Sequence, residues 1–305
     1  MHPRLSLSAL FFLTLPPLLW AGNAVVGRLV GPLVPPMAFN LLRWSLAFGL
    51  LLPFAGRVLR PGSPLWRQWR RFAVLGLLGT SGYNALNYLA LHTSSAINVT
   101  LVGASTPVWM LLIGRLFFGQ RSSARQLLGA LLSIAGVLLV LSRGEWAVLA
   151  QFRLVPGDFY VVVASIGWAV YCWLLMHPTP ESAELRADWS AFLLAQMAFG
   201  LLWSTLFTAS ERLLAPAPVH WGWPLAAALA YVAIGPSLLA YGSFGAGLKR
   251  AGPHVAAHFV NLTPLFTALL SAVFLGEPPT IFHALAFVLI LLGIALSSDR
   301  HSAAK

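Results

Sequence analysis

Two halves of this 305-residue chain repeat one another at a fixed interval, and the repeat lies inside its apolar segments. Thr106-Pro107 and Thr263-Pro264 stand 157 positions apart, as do Phe117 and Phe274, Gly119 and Gly276, Leu128 and Leu285, and Gly136 and Gly293. No gap is needed between these pairs. Gly119-Gln120 falls opposite Gly276-Glu277, where one apolar run ends and the next begins. A second pair, Trp20-Ala21 and Trp168-Ala169, aligns at an offset of 148. Duplicated multi-span units are a common way to build a central site with alternating access, so the repeat points to a carrier.

The composition is 58% hydrophobic and 9% charged, which excludes an ordinary soluble domain. A spanning helix needs about 20 apolar residues. Ten runs qualify: 7–30, 35–54, 72–91, 96–118, 124–141, 157–176, 189–208, 223–248, 253–275 and 280–297. The expected fold is an all-α polytopic membrane protein of ten transmembrane helices in two five-helix repeats, 1–156 and 157–305. Five crossings per repeat insert the second copy upside down, so the repeats are inverted. With a cytoplasmic N-terminus, thirteen Lys and Arg fall in inside segments, among them Arg57, Arg60, Arg67, Arg70 and Arg71, against four outside. That bias places both termini in the cytoplasm. The net charge of +11 is then an insertion signal rather than a nucleic-acid footprint. The 55–71 segment, with Trp66 and Trp69 among its arginines, reads as an interfacial stretch on anionic headgroups. The run 7–30 is read as a retained first span, since Pro16-Pro17 and Asn23 interrupt it and no small-x-small cleavage site follows. A single cysteine, Cys172, excludes an intrachain disulfide and a multi-cysteine metal site.

Polar residues within spans are costly unless they face protein or a water-filled cavity. None of the eight carboxylates falls mid-span; Asp158 and Glu277 sit at span ends. Arg43 is the one mid-span cation. It is open to pairing with a carbonyl or a substrate carboxylate, or to snorkelling outward, and a structural role is the preferred reading. The remaining polar set is amide, hydroxyl, imidazole and aromatic. Trp20 and Asn23, three apart, share a helical face, as do Trp168 and Tyr171. Tyr83, Asn84, Asn87 and Tyr88 lie mostly along one stripe of the third run, and Tyr241 lies in the eighth. Asn98 opens the fourth run, and His254, His258 and Asn261 follow at i, i+4 and i+7 in the ninth. Interfacial anchoring is the ordinary explanation for Trp44, Trp66, Trp69, Trp146, Trp221 and Trp223. Trp20 and Trp168 lie deeper and are related by the repeat, so they are expected to meet across a central axis. Helix-to-helix hydrogen bonding competes with a cavity role for the asparagines and tyrosines, and a buried pair competes for the histidines. A metal at the histidines lacks a carboxylate or cysteine to complete it. Pro107 and Pro264, matched by the repeat, are the expected hinges.

These stretches carry a family resemblance. Trp20-Ala21-Gly22-Asn23, Ser105-Thr106-Pro107 with Gly119-Gln120, Leu238-Leu239-Ala240-Tyr241, and Leu262-Thr263-Pro264 with Gly276-Glu277-Pro278 together resemble the EamA-type drug/metabolite transporters. Within that superfamily the chain is similar to YddG-type exporters of aromatic amino acids, which are also associated with cationic compounds such as methyl viologen. Gln120 departs from the glutamate more usual there. The resemblance implies a bacterial inner-membrane secondary transporter that needs no cofactor or metal, takes an amino acid, and is plausible as a monomer. Substrate contact then falls to Trp20, Asn23, Tyr83, Asn84, Asn87, Tyr88, Asn98, Trp168, Tyr171, Tyr241, His258 and Asn261. Without a mid-membrane carboxylate, transport is expected to be uniport or coupled through His258. Two other readings stay open: a nucleotide-sugar or metabolite exchanger of the same superfamily, and a lipid-modifying membrane enzyme.

Overall fold

The computed structural model describes residues 6–119, 123–145, 147, 155–177, 179, 185–251 and 259–297. Gln120, Trp146, His254 and His258 therefore lie outside the described residues. All regular structure in the described part is helical. In chain order the helices are α1 (Leu7–Val30), α2 (Pro36–Ala55), α3 (Pro64–Arg67), α4 (Trp69–Leu75), α5 (Tyr83–Leu91), α6 (Ala96–Gly103) and α7 (Thr106–Phe117). There follow α8 (Ala124–Leu141), α9 (Pro156–Met176), α10 (Trp189–Leu214), α11 (Trp223–Ile234), α12 (Ala240–Ala251), α13 (Thr263–Phe274) and α14 (Ile281–Ser297).

Five segments, 7–30, 36–59, 156–176, 189–214 and 223–247, are each long and apolar enough to cross a bilayer, and 96–103 with 108–117 makes a sixth if its bend is counted within one span. Shorter apolar helices cover 124–140, 263–274 and 281–293. Local backbone chemistry explains why several apolar runs are not single α-helices. The third run passes from α4 through a π-helical segment, Gly76–Gly82, into α5, and the eighth passes from α11 through a second, Gly235–Leu239, into α12. The last residues of these segments, Gly82 and Leu239, are 157 positions apart. The fourth run breaks at Ala104-Ser105, where α6 and α7 meet at 41°. Thr106 Oγ1 donates to Gly103 O and Thr263 Oγ1 to Val260 O, both at 2.7 Å, so the two breaks are built alike. Pro107 and Pro264 thus stand in first turns, where a missing N–H costs nothing, rather than within continuous helices.

The packing interleaves the two halves. α1 lies against α12 and α13 of the second half, and α9 lies against α5, α6 and α7 of the first. α2 packs on α10 and α11, while α10 packs on the Gly76–Gly82 segment. There Gly76 and Gly200 put backbone against backbone: a Cβ on Gly76 would stand 2.7 Å from both Gln196 O and Gly200 N. α8 and α14 cross in the same manner. A Cβ on Gly136 would meet Ile290 Cγ1 at 2.8 Å and Ala286 O at 2.9 Å. On Gly293 it would collide with Ser133 and the carbonyl of Gly129. These contacts are reciprocal, since Gly129, Ser133 and Gly136 become Ala286, Ile290 and Gly293 on adding 157.

A backbone carbonyl cannot rotate away from an added methyl, so Gly293→Ala is expected to lower stability by about 1–3 kcal/mol, as overpacking does. Gly49→Ala, where nothing lies within 4 Å, should be neutral or slightly stabilising. Unfolding of the two variants in detergent, compared directly, checks this.

Candidate functional site

The polar centre of the bundle is assembled around Arg43, one residue expected to be structural. It sits about 10 Å along α2 from Pro36 at 1.5 Å per residue and is only 2% exposed, so it does not snorkel. Its Nε donates to Ser237 Oγ at 2.6 Å, and its Nη1 donates to Asn84 Oδ1 at 2.9 Å and to the Tyr88 hydroxyl at 2.7 Å. The Tyr88 hydroxyl in turn donates to Asn23 Oδ1 at 2.7 Å. One side chain thereby joins α2 to α5, to the second π-helical segment and, through Tyr88, to α1. The guanidinium carbon also lies 4.8 Å from the Trp44 ring centroid and 5.8 Å from that of Tyr88.

The second π-helical segment supplies an acceptor to this cation directly, and carbonyls of the first position one on α5. Pro236 has no N–H, which would release the Val232 carbonyl. Ser237 Oγ donates to that carbonyl at 2.7 Å and keeps a lone pair for Arg43. In the first half the Asn84 amide donates to Gly79 O and Thr80 O, each at 3.3 Å, which turns Oδ1 toward Arg43. π-bulges disturb the i→i−4 ladder and are found often at functional sites. Here each loosened turn is tied off by the side chain that also holds the guanidinium.

Aromatic rings form two groups beside this network. Trp20 lies 6.2 Å from Tyr241 and 5.8 Å from Phe244, and its Nε1 donates to Pro236 O at 3.3 Å. Tyr241 also meets Trp44 at 6.4 Å. On the other side Trp168 lies 4.6 Å from Tyr83 and 4.7 Å from Tyr171. The expectation that Trp20 and Trp168 meet is thus corrected: α1 and α9 each pack into the opposite half, so each tryptophan finds a tyrosine there. Trp44 is also corrected. At 1% exposure it is core rather than an interfacial anchor, whereas Trp66, Trp69, Trp221 and Trp223 remain 47% exposed or more.

Other expected site residues scatter. Tyr171 is buried and donates to Gln196 Oε1 at 2.7 Å. The Asn87 amide donates to its own helix at Tyr83 O, 2.7 Å away. Asn261 occupies the turn before α13 and is half-buried. Asn98 is not with the central set. It is 3% exposed in the first turn of α6, where its Oδ1 faces His283 Nε2 at 3.0 Å. Thr280 N donates to His283 Nδ1 at 2.9 Å, so Nε2 carries the proton and donates to Asn98. His283 escaped the sequence reading because it falls in the first turn of a strongly apolar run. At the same end Arg28 pairs with Glu277 at 3.5 Å and donates to Leu91 O at 2.7 Å, while Asp158 accepts from Ser94 at 2.6 Å and meets Arg143 at 3.3 Å. Among the described residues no group of three metal-ligating side chains occurs.

A sequence model described as the EamA-like transporter family matches residues 7–142 and 155–299. The chain belongs to that family. Relatives of this transporter include an uncharacterized transporter of Archaeoglobus fulgidus, 28% identical over 94% of this chain and 96% of its own. The aromatic amino acid exporter YddG of Ancylobacter novellus is 26% identical over 92% and 93%. A probable amino-acid metabolite efflux pump of Salmonella typhimurium is 26% identical over 91% and 90%. One solved crystal structure, 23% identical, superposes with a TM-score of 0.59 over 95% of this chain and 96% of that one, which shows a shared fold. The protein is thus a multi-pass membrane transporter.

Tyr88→Phe keeps the ring packed on Phe39 at 4.8 Å but removes the hydroxyl between Arg43 and Asn23. It is expected to cost about 1–3 kcal/mol, as leaving buried partners unsatisfied does. Asn23→Ala should then cost less in the Tyr88→Phe background than in the wild type, a coupling that a double-mutant cycle of unfolding free energies measures.

Proposed function

We propose that this protein exports aromatic and hydrophobic amino acids by alternating access between two inverted five-helix repeats, 1–156 and 157–305. Ten crossings follow if the helix pairs split by π-segments and by Thr-Pro breaks are each one span. Three features support the inverted arrangement. The α8–α14 crossing is reciprocal at an offset of 157. The Thr106 and Thr263 breaks are built alike. α1 and α9 each pack into the half to which they do not belong. In this reading both termini are cytoplasmic, the bilayer is the bacterial inner membrane, and the two breaks absorb the rocking.

The observation that carries the substrate reading is the pair of ring groups flanking a polar centre. Trp20 with Tyr241 and Trp168 with Tyr83 supply apolar faces, while Asn23 on α1 and Asn84 on α5 supply polar groups between them. Asn87, bonded to its own helix, and Asn261, in the turn before α13, stay in the proposal as further candidates. The names of two relatives point the same way, one an aromatic amino acid exporter and the other an amino-acid metabolite efflux pump. No carboxylate of the described residues lies at this centre, which favours uniport down the amino-acid gradient. His258 belongs to this proposal as the candidate for proton coupling. A nucleotide-sugar exchanger has Arg43 in its favour, but one buried cation is thin provision for two phosphates. The Arg28–Glu277 pair is assigned to closing one end of the bundle.

Counterflow of radiolabelled phenylalanine in proteoliposomes, with and without a pH gradient, tests the reading. Transport is expected and should not respond to the gradient. No counterflow of any aromatic or aliphatic amino acid would defeat it. Trp20→Ala should weaken phenylalanine about 3- to 10-fold relative to alanine, the discrimination that one lost ring–ring contact supplies.

A further inference from the structure

We propose that Arg43 is the anchor for a negatively charged group of the substrate, so that the site selects carboxylates and turns away cations. The inference rests on the transport reading above and names the ligand chemistry of the same site.

Arg43 brings a positive charge, spread over a planar guanidinium fork, into the centre of the bundle. Its burial at 2% exposure within an apolar span is costly, and buried charges are ordinarily paired. The ion pairs of the described residues are Arg28–Glu277 and Arg143–Asp158, both at one end of the bundle. Arg43 has no carboxylate among the described residues. Its four contacts of note are a serine, an asparagine, a tyrosine hydroxyl and a tryptophan face, all neutral.

Helix bridging alone does not call for this cation, because the bundle bridges elsewhere with neutral amides. Asn40, one turn before Arg43, donates to Ser81 O at 3.2 Å and Ser204 Oγ at 3.3 Å. Gln196 in α10, also 2% exposed, accepts from Tyr171 at 2.7 Å. At Arg43 a charge stands where an amide would serve for bridging.

The hydrogen-bond ledger of the network points to the same ligand. Nε and Nη1 of Arg43 are engaged, and Nη2 has no hydrogen-bond partner among the described residues. Asn23 spends its Oδ1 on Tyr88, and the Nδ2 donors of this half-buried residue have no partner among the described residues. Trp44 Nε1 is buried and has no hydrogen-bond partner among the described residues. Around the guanidinium itself the unpartnered groups of the described residues are donors, while one turn away the buried Asn40 Oδ1 is an acceptor without a partner. A carboxylate is an acceptor-only group whose two oxygens match a guanidinium fork. An aromatic amino acid would set its carboxylate on Arg43 and its ring on Trp20 and Tyr241. A dication such as methyl viologen would meet a like charge that nothing offsets.

The test measures thermal stabilisation of the purified, full-length wild-type protein in detergent by four compounds: phenylalanine, 3-phenylpropionate, 2-phenylethylamine and methyl viologen. Phenylalanine and 3-phenylpropionate are expected to stabilise at concentrations about 10- to 100-fold lower than 2-phenylethylamine, the range a charge-assisted hydrogen bond confers. Methyl viologen should not stabilise. Stabilisation by 3-phenylpropionate but not phenylalanine would uphold the anchor and sink the amino-acid reading. Equal stabilisation by phenylalanine and 2-phenylethylamine would sink the anchor and leave the amino-acid reading standing. No response to either acid overturns the anchor. Arg43→Gln should erase the preference for the acid over the amine, and Arg43→Lys should keep part of it. Retention of the full preference in Arg43→Gln overturns the proposal, and the wild-type ligand series decides the matter if that variant fails to fold.

Discussion

Hydrocarbon offers the guanidinium of Arg43 nothing, so the surrounding helices must meet it with acceptors. They do so from three directions at once: Asn84 and Tyr88 from α5, Ser237 from the second π-helical segment, and Asn23 of α1 through the Tyr88 hydroxyl. Much of the local irregularity follows. Ser237 reaches Arg43 because the turn around Pro236 is loosened, and Asn84 turns its oxygen inward because its nitrogen is occupied by carbonyls of the first loosened turn. Breaks in helical regularity and placement of charge are one device here.

The outer framework has a different physical basis. In lipid there is little hydrophobic drive between helices, so association depends on close approach and dispersion. Glycines provide it where Gly76 meets Gly200 and where α8 crosses α14 through Gly136 and Gly293. Three carboxylates stand at a bundle end: Glu277 with Arg28, Asp158 with Arg143 and Ser94, and Glu211, whose two oxygens accept from Met37 N and Ala38 N at 3.1 Å at the start of α2. Rigid crossings and pinned ends thus bracket a centre whose helices are broken or loosened. A carrier needs that division, since rocking requires stiff bodies and a few places that yield.

Much of this was legible in order of residues and little of it in their orientation. The interval of 157 marks Gly136 and Gly293 because both must be small for the same reason, and it marks the two Thr-Pro pairs because each opens a helix. Trp44 was misread because an all-apolar helix has no polar face to tell lipid from protein, so a tryptophan there reads as interfacial. Asn98 looked like a cavity residue because His283, 185 positions away, gives no local sign of being its partner. Gly76, Gly79 and Gly82 announced close approach, but nothing in their spacing announced a π-helical turn.

By itself the sequence determined the membrane class, the apolar runs, the repeat and the short list of polar residues that such a setting must explain, because hydropathy and periodicity are local properties. Only the tertiary structure decided which of those residues meet. Trp20 goes to Tyr241 and Trp168 to Tyr83 because α1 and α9 cross into opposite halves. Arg43 becomes the centre because residues from positions 23 to 237 converge on it. Side chains far apart in the chain share a site only through helix packing, and no local pattern encodes that.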